Sequence, residues 1–313
     1  MGYAMRTPVV ILLLFCGCVE QGHEEPQGLA RPSLVHVGTL EDPVLDEASG
    51  LARSQRDPDL LWIINDGGAK PRIHATDHRG ASRGVVRVAG ARNVDWEDLA
   101  SFRWRGAPYL LIADIGDNDA QRKMLSLYII EEPNLETDDL PTVQPLWRID
   151  FTYPDGARDA EAIAVDAASE RVFVLTKRDI PAVLYELPLV PPGDDILTAT
   201  RVGAIGSLPV PRRQDVEYAP LSKDWYWQPT AMDIAADNLA ALIMTYRAVY
   251  VYRRNVDDAW FAAFSRRPLV IDIRGYRDAE AAVFSADGES IFVTVEQQHA
   301  PLLRIDLNGA VAK

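Results

Sequence analysis

Cysteine is almost absent from this chain: there are two, Cys16 and Cys18, both near the N-terminus. No internal disulfide can therefore brace the rest of the fold, and no thiol is left there as a nucleophile or metal ligand. Histidine is scarce as well, and its five residues are scattered, which argues against a zinc site built from imidazoles. A Gly-x-Ser-x-Gly nucleophile elbow, a phosphate-binding glycine loop and a dinucleotide fingerprint are all missing, so ordinary hydrolases and nucleotide enzymes lose support. Basic residues are in deficit, 32 against 46 acidic ones, giving a formal charge of -14. Such a surface repels nucleic acid and anionic membranes, and its natural partner is a cation.

What is present is a globular composition, with 48% hydrophobic residues in 313. The N-terminus reads as an export signal: Arg6 supplies the positive charge, Val9 to Phe15 the apolar run, and Gly17 a small residue before Cys18. That run is far short of the ~20 residues needed to span a bilayer. Phe15-Cys16-Gly17-Cys18 resembles a bacterial lipobox, with Phe15 where Leu is usual. The resemblance implies that residues 1–17 are removed and Cys18 is lipidated, which puts the protein in the bacterial cell envelope with the lipid bilayer as its first partner. Val19 leaves the outer membrane open as the anchoring bilayer, and ordinary secretion with an unmodified Cys18 is the alternative. Residues 18–32 are polar, carry Pro26, Gly28 and Pro32, and read as a tether.

One short motif recurs. Its copies are Glu47-Ala-Ser-Gly-Leu-Ala52, Asp95-Trp-Glu-Asp-Leu-Ala100, Asp159-Ala-Glu-Ala-Ile-Ala164, Gln228-Pro-Thr-Ala-Met-Asp233 and Asp278-Ala-Glu-Ala-Ala-Val283. Counted between their third residues, the spacings are 48, 64, 69 and 50. A four-stranded propeller blade of roughly 40–50 residues plus insertions has this length. Short β-rich runs bounded by Gly, Pro, Asp or Asn follow each copy, four per unit except the last, which has three. The unassigned run Leu34 to Val37 can supply the missing strand and close the ring, since an open ring would leave strand edges bare. The expectation is an all-β protein: a single five-bladed propeller over 33–313, closed by an N-terminal strand and without a helix of consequence. A sixth blade between Pro188 and Trp227 is the alternative. Against it, Asp215-Val-Glu217 stands too close to Gln228 for four strands, and Pro209, Pro211 and Pro220 favour an insertion loop.

The motif opens the innermost strand of each unit, where i and i+2 share a face. This pairs Asp95 with Glu97, Asp159 with Glu161 and Asp278 with Glu280. The ends of the second strands should reach the same rim: Asn65-Asp66, Asp114 through Asp117-Asn118, Lys177-Arg178-Asp179, Tyr246-Arg247 and Glu296-Gln297. So many carboxylates cannot all ionise together unaided. Either a cation sits among them, or basic residues pair with them, or some stay protonated. Oxygen donors suit Ca²⁺. The expected metal ligands are Asp95, Glu97, Asp117, Asp159, Glu161, Asp278 and Glu280, with Lys177 and Arg247 as the cationic, catalytic pair should the protein be an enzyme. Ser49 and Thr230 interrupt the carboxylate ring. Trp62, Trp96 and Trp104 read as packing between blades, His74 and His78 as solvent-facing, and Trp225-Tyr226-Trp227 as core or as a lid over the same rim.

Asp95-Trp-Glu-Asp-Leu-Ala100, Ile112-Ala-Asp-Ile-Gly-Asp-Asn118, Glu132-Pro133, Asp159-Ala-Glu-Ala162, Thr176-Lys177 and Thr245-Tyr246-Arg247 together resemble a family of exported bacterial propellers, largely without assigned activity. More distantly, an acidic channel with Lys, Arg and Tyr looks like the calcium-dependent propeller phytases. That likeness implies hydrolysis of a phosphate ester, in which carboxylates such as Glu97, Asp117, Glu161 and Glu280 hold calcium while Lys177 and Arg247 grip the phosphate. The functional expectation is thus a monomeric, lipid-anchored propeller binding calcium, and through it a small anionic ligand or an envelope protein, with no nucleic acid. Phosphate-ester hydrolysis and a metal-free envelope scaffold are the alternatives.

Overall fold

The computed structural model describes, besides Met1, residues 32–135, 141–210, 227–276 and 278–310. The signal segment, Cys18 and most of the tether fall outside them, as do Pro211, Asp215 to Glu217, Pro220, Trp225 and Tyr226. Within the described residues no helix is long and apolar enough to cross a membrane.

Strand β1 (Ser33–Thr39) leaves the N-terminus and pairs at the far end of the chain. Blade one is β2 (Ala48–Arg53), β3 (Leu60–Asn65), β4 (Arg72–Asp77) and β5 (Ser82–Val88). Blade two is β6 (Trp96–Trp104), β7 (Ala107–Asp114), β8 (Leu125–Glu131) and, after the two-residue β9 (Thr142–Val143), β10 (Trp147–Thr152). Blade three is β11 (Ala160–Asp166), β12 (Arg171–Thr176), β13 (Val183–Pro188) and, after β14 (Leu197–Thr198), β15 (Thr200–Ala204). Blade four is β16 (Pro229–Ile234), β17 (Ala240–Thr245), β18 (Ala248–Arg253) and β19 (Leu269–Asp272), with the five-residue helix α1 (Trp260–Phe264) before its last strand. Blade five supplies β20 (Ala279–Phe284), β21 (Ser290–Val295) and β22 (Pro301–Asp306).

The fourth strand of blade five is β1, antiparallel to β22 with Ser33 opposite Asp306 and Thr39 opposite Pro301. The first strand of the fold thus caps the last blade and covers an edge that would otherwise be bare. The five-bladed ring closed by the N-terminal strand is the architecture the repeat predicts. Two details lay outside that expectation: β9 adds to the outer edge of blade one and β14 to that of blade two, each in parallel. Both pairings tie the connection of one blade to the rim of the preceding one.

Because every blade is sandwiched between neighbours, its central strands are apolar on both faces and read as continuous runs, such as Leu60-Leu-Trp-Ile-Ile64. Four apolar layers fill the gaps between sheets, one between blades one and two, one between two and three, one between three and four, and one running from blade four through five to one. Trp62 and Trp96 are fully buried in the first layer, as expected of packing residues, and half-buried Trp104 stacks with Tyr109 and Trp147. His74 departs from expectation. It is buried, and its Nδ1 lies 2.7 Å from Asp42 Oδ2 in the segment between β1 and β2, so it helps seat the closing strand. His78 is half-buried against Phe292 with ring centroids 4.3 Å apart.

Candidate cation site

All five innermost strands share one irregularity. Pairing with the second strand slips by one residue between Ala48 and Gly50, Trp96 and Asp98, Ala160 and Ala162, Pro229 and Ala231, and Ala279 and Ala281. The residue skipped is the third of the motif in every blade: Ser49, Glu97, Glu161, Thr230 and Glu280. A bulged residue is released from the ladder and re-aimed. Glu97, Glu161 and Glu280 are buried on the wall of a cavity of about 510 Å³ at the mouth of the channel. Ser49 Oγ instead donates to the Trp96 carbonyl at 2.9 Å and Thr230 Oγ1 to the Ala279 carbonyl at 3.0 Å, each linking its blade to the next. The carboxylate ring is interrupted at those two blades.

The period-two argument for the acidic pairs does not hold as the reason for their convergence. Asp95, Asp159 and Asp278 lie just before their strands, and the bulge at the third position breaks the alternation. Convergence comes from the bulges and from strand polarity, which brings the second-strand ends Asp66, Asn118, Lys177, Arg178, Tyr246 and Glu296 into the same cavity. Asp46, Glu47 and Gln228 complete its wall with Asp278, so eight carboxylates face two basic side chains there.

Two acidic triads share Glu97. Asp66, Asp95 and Glu97 each offer an oxygen within 4.8 Å of the others, and so do Glu97, Asp159 and Glu161. The second triad already holds protein cations. Lys177 Nζ donates to Glu161 Oε1, and Arg178 Nε donates to Asp159 Oδ2 at 2.6 Å. The first triad has no such partner in hydrogen-bond contact, although Gly67 N–H donates to Asp66. Two glycines shape it: a Cβ at Gly116 would overlap Glu97 Oε1 and Asp95 Oδ2, and one at Gly67 would overlap Asp95 Oδ1. This is the physical reason for glycine in the Ile-Gly-Asp-Asn stretch.

The remaining expected site residues have other surroundings. Asp117 is buried and caps its own loop, accepting Gln121 N–H and Arg122 N–H, both at 2.8 Å. Glu280 accepts Tyr246 Oη–H at 2.6 Å. Asp278 lies at the exposed rim in a left-handed conformation, φ 55°. Arg247 is exposed and does not line the cavity.

Electrostatics follow the crowding. Burial, then Glu161 and Asp66, push the Glu97 carboxyl well above its ordinary range. Burial raises Glu161 as well, against the pull of Lys177. Burial and Asp66 lift Asp95 to about 6, and burial with Glu280 lifts Glu296 to about 7. For Lys177, burial works toward a lower value, but Glu161 and Glu280 outweigh it and the ammonium is held in its charged form.

Below the mouth lies a hub the sequence reading missed. Asp98 Oδ2 accepts the backbone N–H of Ile163 at 2.8 Å and of Met232 at 3.4 Å, and Asp98 Oδ1 that of Leu99 at 2.8 Å. Asp233 Oδ2 accepts Phe284 N–H at 3.0 Å and Arg53 Nη1 at 2.8 Å, while Arg53 Nη2 donates to the Ile234 carbonyl at 3.2 Å. Innermost strands expose unpaired amides to the axis, and these side chains satisfy them. The signal available in sequence was the acid one position after each bulge in blade two and three positions after it in blade four.

No protein-family model matches the chain, and no curated protein matches it. Among solved structures it is similar to a PQQ-bound aldose sugar dehydrogenase from Streptomyces coelicolor, with 11% identity and a TM-score of 0.43 over 88% of this chain and 98% of that one. It is also similar to a gluconolactonase from Xanthomonas campestris, with 12% identity and a TM-score of 0.43 over 89% and 95%. A luciferin-regenerating enzyme aligns with 8% identity and a TM-score of 0.44 over 88% and 95%.

Proposed function

We propose that this propeller is a binding protein that holds a divalent cation, calcium by the chemistry of its donors, at Asp66, Asp95 and Glu97, and presents it to a ligand in the mouth. The observation that carries this reading is the open triad itself: three carboxylates converge within 4.8 Å with no protein cation bonded to them, next to a second triad that has two. Calcium–oxygen distances of about 2.3–2.6 Å put ligands on opposite sides of the ion ~5 Å apart, so the spacing suits one ion. No histidine lines the cavity, and an all-oxygen set favours a hard cation.

Phosphate-ester hydrolysis has less support. Lys177, expected to grip a phosphate, is spent on Glu161, and Arg247 stands outside the cavity wall. Anchoring through Cys18 in the bacterial envelope is part of the proposal and rests on the N-terminal sequence alone. Calorimetric titration of calcium into the chelator-stripped chain tests the cation reading. It predicts saturable binding that Glu97→Gln abolishes, and heat indistinguishable from dilution would refute it.

A further inference from the structure

Two buried oxygens on the cavity wall have no hydrogen-bond partner: Glu161 Oε2 and Gln228 Oε1. Both residues are only 4% exposed, so solvent does not readily serve them. Both atoms are acceptors, and an unsatisfied buried acceptor costs about 1–3 kcal/mol, more when charged. The donors of the wall are meanwhile committed: Lys177 to Glu161, Arg178 to Asp159 and Asn118, and the Tyr246 hydroxyl to Glu280. The unmet demand of this side of the mouth is therefore for N–H or O–H donors and positive charge. An anion finds neither.

The protein itself shows how the wall receives such a group. The Lys177 ammonium sits on Glu161 with its Nζ 5.3 Å from the Tyr246 ring centroid, a cation–π arrangement. Glu161 Oε2 and Gln228 Oε1 are what a second ammonium would need beside it. We propose that the third and fourth blades form an ammonium subsite, and that the ligand of the mouth is a small organic cation of the diamine or polyamine class. One ammonium donates to Glu161 Oε2 and Gln228 Oε1, and the next is met by the rim carboxylates Asp278 and Glu296. The volume of about 510 Å³ lies within the usual range of small-molecule sites, about 300–1,000 Å³, and exceeds what one ammonium fills. This inference rests on the same mouth as the cation reading but uses different residues, so the two can fail separately.

The test is titration of putrescine and spermidine into the purified full chain at fixed ionic strength, once in EDTA and once in calcium. Butane-1,4-diol and inorganic phosphate serve as the neutral and anionic comparisons. The expected result is saturable binding of both amines and of neither comparison, with Gln228→Leu weakening the amines about tenfold or more, the loss of one hydrogen bond to a charged group. The calcium response of Gln228→Leu should be unchanged, which also shows that the variant folds. Absence of amine binding would overturn the proposal while leaving a positive calcium titration intact. Diol binding as tight as putrescine, or amine binding indifferent to Gln228→Leu, would overturn it too, by pointing to a polyol site or to unspecific attraction.

Discussion

The carboxylate of Asp98, on the innermost strand of blade two, accepts the backbone N–H of Ile163 on the innermost strand of blade three at 2.8 Å. The same oxygen takes the Met232 amide of blade four at 3.4 Å, so one side chain joins three blades at the axis. Asp98→Ala leaves buried amides of different blades without an acceptor, at about 1–3 kcal/mol each. The expected loss is at least about 3 kcal/mol, read as a lowered midpoint in urea melts. A loss within 0.5 kcal/mol, the ordinary range about a surface site, would contradict the hub.

Lys177 is the buried cation among Glu161, Glu280 and Glu97. Lys177→Met should cost about 3–5 kcal/mol, the usual result of stranding one partner of a buried pair. Lys177→Met combined with Glu161→Gln should recover part of that loss. A double-mutant cycle with no coupling energy would show that the two side chains do not act as a pair.

Metal-free stability should fall as pH rises. Asp95 is lifted to about 6 and Glu296 to about 7, and Glu97 and Glu161 are raised further by burial and crowding. Unfolded carboxyls titrate near pH 4, so between about pH 4 and pH 7 the native state binds more protons than the unfolded chain. The stabilising contribution is complete below the unfolded values and is lost as pH climbs through the folded ones. Thermal melts in EDTA should therefore give a higher midpoint near pH 5 than near pH 8, and calcium should narrow the gap by replacing the protons. A midpoint that rises steadily from pH 5 to pH 8 in EDTA would be the opposite sign.

Gly116→Ala places a methyl group against the oxygens of Asp95 and Glu97. The triad must open to accept it. Calcium affinity should drop by tenfold or more, about 1.4 kcal/mol or greater, with a smaller change in the metal-free melt. Equal losses in both would mean that Gly116 serves the fold and not the site.

The blades were legible because each repeats one motif at a spacing that admits little else, and because the run Leu34 to Val37 had no partner nearby. The meeting of the acids at one mouth was also legible, through strand polarity. The division of labour among them was not. Nothing local tells Glu97, in the open triad, from Glu161, which holds Lys177, since both occupy the same bulge in the same motif. The difference is set by which side chain arrives from the second strand, Gly116 in one blade and Lys177 in the other. Asp98 and Gln228 escaped notice for a related reason: their roles depend on contacts with other blades. His74 was misread because its partner Asp42 belongs to the segment after β1, 32 residues away.

The most direct measurement is a calcium series of thermal melts on the wild-type chain and on Glu97→Gln, both stripped with EDTA beforehand. A ligand that binds the folded state alone stabilises it by about 2.7 kcal/mol at a hundred times its Kd. The account predicts a midpoint that climbs with calcium in the wild type and stays flat in Glu97→Gln. An unmoved wild-type midpoint across millimolar calcium, or an equal rise in Glu97→Gln, would contradict a cation held at Asp66, Asp95 and Glu97.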